Sequence, residues 1–331
     1  MFYKNNRFAL VSLSAMTLFL ILFCNVAYAD SAQNPCSASI DDFTSRSTVK
    51  PEKYYVEITL THVGDIDLQS GEYPMTFWVD IRPAFPNADF TKNPPPTMEF
   101  VNGRNVQQLD FNCSPNLYEY KVQGTFFGQM NLRSFPFEVL NLKINLESIS
   151  PGNMTYVQLL PWKDSAIDEN LIVPGYQVSG FNSVSSVHMY NDDENYSSLI
   201  TTVNLSTYTV QSLLKSILPM VLLPGLAILS FWIEPSSRGD RLGLSVGTLL
   251  SAVIFNFFMA GQIPPVSYLT IFDKVVLVVY AVFLYTILCT IYQGILMKNQ
   301  VEHDKIVIIN HKMRYGIIAI VAGLGTLVCF I

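Results

Sequence analysis

The sequence predicts an exported β-sandwich followed by a four-helix membrane domain. An N-terminal apolar run ends in a small-residue cleavage pattern, strand-like runs alternate with turn residues through the middle, and apolar segments crowd the last third. Hydrophobic residues are 50% of the chain and charged residues only 14%, and that apolarity is concentrated in segments rather than spread over a globular core.

At the N-terminus Lys4 and Arg7 precede an apolar run from Phe8 to Phe23 and then Ala27-Tyr28-Ala29. A basic start, a short apolar stretch and a small-x-small site are the pattern of a signal peptide, so residues 1–29 are expected to be removed and the next segment exported. An uncleaved anchor is the alternative, but the apolar run is short for a span.

Residues 30–210 read as an all-β domain. The runs "KYYVEITLTHV", "MTFWVDI", "LYEYKVQGTFFG", "VLNLKINLES", "TYVQLLP", "GYQVSGFNSVSSVHMY" and "LITTVNLS" are rich in β-branched and aromatic residues and are divided by Pro, Gly, Asn and Asp. Near-regular spacing of this kind predicts a β-sandwich. The segment carries 21 acidic and 10 basic residues, a net charge of −11 that would gather cations. Cys36 and Cys113 are its cysteine pair and could bridge outside the cytoplasm.

Residues 211–331 hold the membrane domain, with spans at about 213–233, 241–261, 272–297 and 313–331, each near the ~20 residues that a bilayer core needs. Lys298, Lys305, Lys312 and Arg314 lie between the third and fourth spans, whereas the stretch from Ala260 to Phe272 has no basic residue. That bias puts the third connection inside and the β-domain outside.

The second span, within "RGDRLGLSVGTLLSAVIFNFFMAGQIPP", is unusually polar for a lipid-facing helix. Ser245, Thr248, Ser251 and Asn256 lie on one side, and small or hydroxyl residues at such spacing serve either a wet surface or contacts between helices. Stepping by three and four from Asp240 gives a second side, with Gly243, Gly247, Leu250, Ile254, Phe257 and Gly261. Both sides are candidates for facing water.

"MNLRSFPFEVLNLKINLES" resembles the signature loop of the pentameric ligand-gated ion channels, the Cys-loop receptor superfamily, with Phe135-Pro136-Phe137-Glu138 as its core. Gly128 and Leu142 stand where animal members carry the flanking cysteines, which is the pattern of the bacterial branch. The resemblance extends through "MEFVNG" from Met98, "ILPMVLLPG" with Pro219, and "FN" followed by "IPPVSYLT" at the end of the second span. Two departures stand out: Arg82-Pro83 where the family usually has Trp, and Thr207 where it usually has Arg before the first span.

The resemblance implies a homopentamer of this chain with four identical partners, in the inner membrane of a bacterial cell with the β-domain periplasmic. It implies that the second span lines the pore through Asp240, Gly243, Gly247, Leu250, Ile254, Phe257 and Gly261. An Asp240 ring at the cytoplasmic mouth, without the Pro-Ala insertion of anion-passing members, favours permeating cations. Leu250 and Ile254, then Phe257, would form a gate that closes by dewetting, while Gly243 and Gly247 would widen the inner pore.

By the same resemblance a ligand would bind between subunits, against Glu99, Glu147, Tyr190 and Tyr196 of one and Phe77 of the next. Aromatic faces beside a carboxylate suit a cation such as a primary amine. Asp65, Asp67, Phe135, Pro136 and Phe137 would meet Pro264 and Pro265 to couple binding to gating. No cofactor is expected, although Asp65-x-Asp67 and Asp192-Asp193-Glu194 are hard-oxygen clusters that could bind Ca²⁺, and His62 and His188 could sense pH. Membrane lipids are the other expected partner, and nucleic acid is not. The sequence contains no His-x-x-x-His, so an enzyme is not expected, nor does it have the repeats of a secondary transporter.

Overall fold

The computed structural model describes residues 51–150, 156–163, 165–190 and 195–330; the expected signal peptide, Cys36 and the Asp192-Asp193-Glu194 run lie outside the described residues. Among the described residues ten strands come first: β1 (Glu52–Val63), β2 (Glu72–Pro83), β3 (Thr97–Phe100), β4 (Gly103–Ser114), β5 (Leu117–Phe127), β6 (Val139–Ser150), β7 (Val157–Pro161), β8 (Ala166–Ile167), β9 (Tyr176–Met189) and β10 (Asn195–Thr207). Four helices follow: α1 (Thr209–Trp232), α2 (Arg238–Ala260), α3 (Ile271–Lys298) and α4 (His303–Phe330). All described residues belong to one compact unit.

The strands form two sheets. One runs β4-β5-β2-β1-β7 with β8 beside β1, and the other runs β3-β6-β10-β9. Tyr73, Met75, Phe77, Val79 and Ile81 alternate inward along β2, and Leu140, Leu142, Ile144 and Leu146 answer from β6. Period-two burial on facing sheets is what makes the sandwich. Phe77, Phe100 and Phe126 meet edge-on or tilted with ring centres 5.5–5.9 Å apart and close its centre. Cys113, in β4, is disulfide-bonded.

Strand β4 is absent from the sequence-based reading, and its irregularity explains why. Its pairing with β5 slips between Arg104 and Gln107 and again between Leu109 and Asn112, and Asn105 and Asp110 adopt positive φ. Such bulges interrupt the alternation by which a strand is recognised.

On the outward face of the first sheet three carboxylates stand in a row, because Glu57 pairs across to Asp80 and Asp80 to Glu119. Arg82 reaches both Glu57 and Asp80 and lies over the ring of Trp162. Burial, then repulsion from Glu119 and Glu57, pushes the Asp80 carboxyl up to about 6 against the pull of Arg82.

The helices carry four apolar segments long enough to cross a membrane. In α1 a π-helical turn at Leu213–Ile217 directly precedes Pro219, whose missing N–H leaves the carbonyl four residues back without its usual donor. Helix α4 begins nearly three turns earlier than expected, at His303 rather than near 313.

A buried polar knot ties the ends of all four helices where α1 turns into α2. Arg241 is 0% exposed and donates to the carbonyls of Phe231 and Ile233 and to the amide oxygens of Gln293 and Asn310. Asn310 in turn donates to the Phe231 carbonyl at 2.9 Å. The Ser245 and Thr248 side of α2 faces this interior.

Because the folded chain holds the Asp80 proton more tightly than the unfolded one, its contribution to stability is fully present below about pH 4 and is lost as pH rises through about 6. Asp80→Asn is expected to raise the thermal unfolding midpoint of the detergent-solubilised protein at pH 7.5 and to leave it unchanged at pH 4. Equal midpoints for variant and wild type at both pH values would show that the row is not strained.

Candidate functional site

Helix α2 presents two chemically different sides. Arg241, Ser245, Thr248, Ala252 and Met259 are buried against the other helices of the same chain. Asp240, Gly243, Gly247, Leu250, Ile254, Phe257 and Gly261 are all exposed, with Phe257 the most open of the large ones at 71%. Of the polar side, Ser251 is exposed and returns its hydroxyl to the Gly247 carbonyl at 3.1 Å, while Thr248 bonds the Leu244 carbonyl at 2.7 Å. An isolated subunit therefore buries Ser245 and Thr248 and leaves the apolar stripe uncovered.

Adjacent residues at the start of α2 send their charges in opposite directions. Arg241 points into the helix knot, and Arg238 lies along α3, with a nitrogen 3.5 Å from the Gly294 carbonyl. Asp240 remains on the open stripe. The stripe thus carries a carboxylate at one end and large apolar groups along its length.

In the β-domain a carboxylate and aromatic rings converge at one end of the second sheet. Glu147 on β6 stands opposite Glu99 on β3, and its own side chain is nearly inaccessible. The Tyr190 hydroxyl donates to its Oε2 at 3.0 Å, and the His188 Nδ1 lies 3.2 Å from the same oxygen. The other oxygen, Oε1, is buried with no hydrogen-bond partner. Tyr190 packs against His188 with ring centres 4.2 Å apart and edge-on to Tyr196 at 5.3 Å.

Desolvation, then the hydrogen bond to Glu147, pushes the Tyr190 phenol up to about 12, so it stays a donor. The hairpin β9–β10 makes the cluster, since Tyr196 pairs with His188 across it. Four of the five ligand residues expected from sequence are thereby brought together, and His188 joins them.

Phe77 is not among them. It is fully buried between Phe100 and Phe126, because β2 alternates and the odd-numbered residues face the core. The aromatic on the outward face is its neighbour Trp78, which faces Lys121 with the ammonium 5.8 Å from the ring centre. A one-residue change of register exchanges core and surface.

At the junction of the two domains, Phe135 and Pro136 are buried and Phe137 half-buried. The Ile271 and Phe272 amides of α3 donate to the Arg133 and Phe135 carbonyls, each at 3.1 Å, and the Phe135 ring packs on Phe272. Pro264 and Pro265 instead line a cleft of ≈ 450 Å³ with Leu68, Ser70, Gly71 and Met130. Asp65 is exposed. The Asp67 carboxylate is spent within its own turn on Gln69 N and Ser70 Oγ, which hold it below the usual carboxylate range. Among the described residues no group of three His, Cys, Asp or Glu is placed to hold a metal ion.

Glu138 closes the signature loop and forms no ion pair among the described residues. It is 4% exposed, its Oε1 accepts from the Tyr176 hydroxyl at 3.0 Å, and its Oε2 is buried without a partner. Burial raises its carboxyl above the ordinary glutamate value. Tyr176 stands directly across β9–β10 from Thr207, the position where the sequence lacks the expected arginine.

Comparison with known proteins agrees with this architecture. Residues 216–310 match the family described as the neurotransmitter-gated ion-channel transmembrane region. The chain is 25% identical to the gamma-aminobutyric acid receptor subunit beta of Caenorhabditis elegans over 260 residues, covering 76% of this chain and 45% of that protein. It is 24% identical to the gamma-aminobutyric acid receptor subunit rho-2 of Bos taurus over 63% of this chain and 50% of the relative. It is also 28% identical to the pH-sensitive chloride channel 2 of Drosophila melanogaster over 45% and 30%. The chain thus spans half or less of the length of these relatives. With a β-sandwich feeding four apolar helices and a transmembrane region of this kind, the chain is similar in architecture and sequence to these ligand-gated channel subunits.

Proposed function

We propose that five identical copies of this chain enclose a pore lined by the open stripe of α2, and that a cationic ligand at the Glu147 cluster opens it. The observation that carries this reading is the stripe itself. Leu250, Ile254 and Phe257 are large, apolar and exposed on a helix whose opposite side is buried, so further copies are needed to cover or surround them. Five-fold repetition turns Leu250 and Ile254 into apolar rings that exclude water when narrow, and Asp240 into a ring of carboxylates at the end distal to the β-domain.

Cations are the proposed permeant ions. Asp240 is the charge left on the stripe, while Arg241 is buried in the helix packing and the exposed Arg238 lies against α3. A second reading, anion passage, has in its favour the chloride channel among the relatives. In a planar bilayer with asymmetric NaCl, cation selectivity places the reversal potential near that of Na⁺, and Asp240→Asn moves it toward zero. A wild-type reversal near that of Cl⁻ establishes the second reading instead.

Ligand chemistry follows from the half-satisfied carboxylate. Glu147 keeps one buried oxygen without a donor beside three rings, an arrangement that a primary ammonium completes with a charge-assisted hydrogen bond and ring contacts. Gamma-aminobutyric acid, named for two of the relatives, carries such an amine and belongs in the first panel tested. In the assembly Trp78 of a neighbouring copy, rather than Phe77, would face the cluster. Glu147→Gln is expected to raise the half-activating concentration of an effective amine roughly 10- to 100-fold, the worth of a hydrogen bond to a charged group. An unchanged concentration–response curve would place the ligand elsewhere.

A further inference from the structure

The ligand cluster holds more acceptors than the fold supplies donors for. On β6 Leu140, Leu142, Ile144 and Leu146 face the core, so Asn145 and Glu147 share the outward face with Glu99, which pairs directly across from Glu147 on β3. Glu147 is 3% exposed and its Oε1 has no hydrogen-bond partner, and the Asn145 Oδ1 is buried and equally without one. Glu99 is exposed and forms no ion pair among the described residues. After desolvation and the contact with Glu147, the charge of Glu99 is a further cause that raises the Tyr190 phenol, so both carboxylates stand within electrostatic reach of one hydroxyl.

Two carboxylates directly opposite on neighbouring strands repel one another. Among the described residues the one basic group within ion-pair distance of either is His188, and it lies on the Glu147 oxygen that Tyr190 already serves. Left over are Glu147 Oε1, Asn145 Oδ1 and the Glu99 carboxylate, on positions roughly 5 Å apart across the strand pair and 7 Å apart along β6. A primary ammonium offers three donors from one point, whereas a monosubstituted guanidinium offers five N–H groups on the edges of a plane. That plane also stacks on aromatic faces, and the exposed Tyr190 ring, held edge-on by Tyr196 at 5.3 Å, presents one.

We propose that the cluster recognises a small alkylguanidinium in preference to a simple amine, with one N–H edge on Glu147 and Asn145, another on Glu99, and the plane against Tyr190. Its delocalised charge is the counter-charge that the facing carboxylates lack, delivered through paired N–H groups that match carboxylate geometry. This assignment rests on the cluster being the ligand site of the proposed channel and goes further by fixing the shape of the cation.

The test compares propylguanidinium with propylammonium, which share a tail and a charge, by isothermal titration of the detergent-solubilised full-length protein. The guanidinium is expected to bind roughly tenfold more tightly, the worth of one further hydrogen bond to a charged group. Glu99→Gln, at an exposed position, is expected to remove that advantage while propylammonium keeps its wild-type affinity, and Glu147→Gln is expected to weaken both cations. Equal affinities for the two cations in the wild type, an equal loss of both on Glu99→Gln, or undiminished guanidinium binding in Glu147→Gln would each overturn the guanidinium site. An amine that still binds through Glu147 in the first two cases leaves the ligand-site reading in place. If neither cation binds the wild type, the cluster is not the ligand site and both readings fall.

Discussion

The N-terminus of α3 is where the two halves of this protein become one body. A helix start leaves backbone N–H groups without internal acceptors, and in a membrane domain no bulk water reliably serves them. Here the β-domain serves them. The loop between β5 and β6 supplies the Arg133 and Phe135 carbonyls to Ile271 and Phe272, and Thr270 with Asp273 completes a capping box. Leu132 N donates to the Tyr268 hydroxyl, and Arg133 lies over the same ring. Displacing the loop therefore exposes unsatisfied amides, so it and α3 move together or not at all. The cleft lined by Pro264 and Pro265 lies beside that contact.

Most of the architecture was legible because it rests on two periodicities. Alternation in β1, β2, β6 and β10 and sustained apolarity in the helices survive every local irregularity. What escaped was local. β4 is an edge strand with two bulges, so its polar residues never alternate cleanly. Phe77 and Trp78 are adjacent aromatics, and composition cannot say which faces inward; only the register against β1 and β5 decides it for Phe77. The polar side of α2 was equally open to two readings until Ser245 and Thr248 proved to be internal.

The candidate ligand cluster was legible only through the family resemblance, which pointed to Glu99, Glu147, Tyr190 and Tyr196 where composition and periodicity did not. His188 was harder to place, since a histidine in a strand has no sequence signal for the carboxylate beside it. Glu138 shows the opposite limit. The missing arginine at Thr207 was visible, yet the Tyr176 phenol that bonds Glu138 comes from the partner strand and could be found only from the pairing of β9 with β10.

The π-helical turn before Pro219 sets the angular phase of everything after it in α1. Each residue advances an α-helix by about 100°, and a π turn holds one residue more than an α turn. Were Leu213–Ile217 to relax to ordinary helix, the segment beyond would rotate by about that angle. Met220, Pro224 and Ala227, which now face inward, would swing toward the lipid side. The wide turn thus works as a phase adjuster, letting a helix whose start is fixed by β10 bring its apolar seam to α2 and α3 in register.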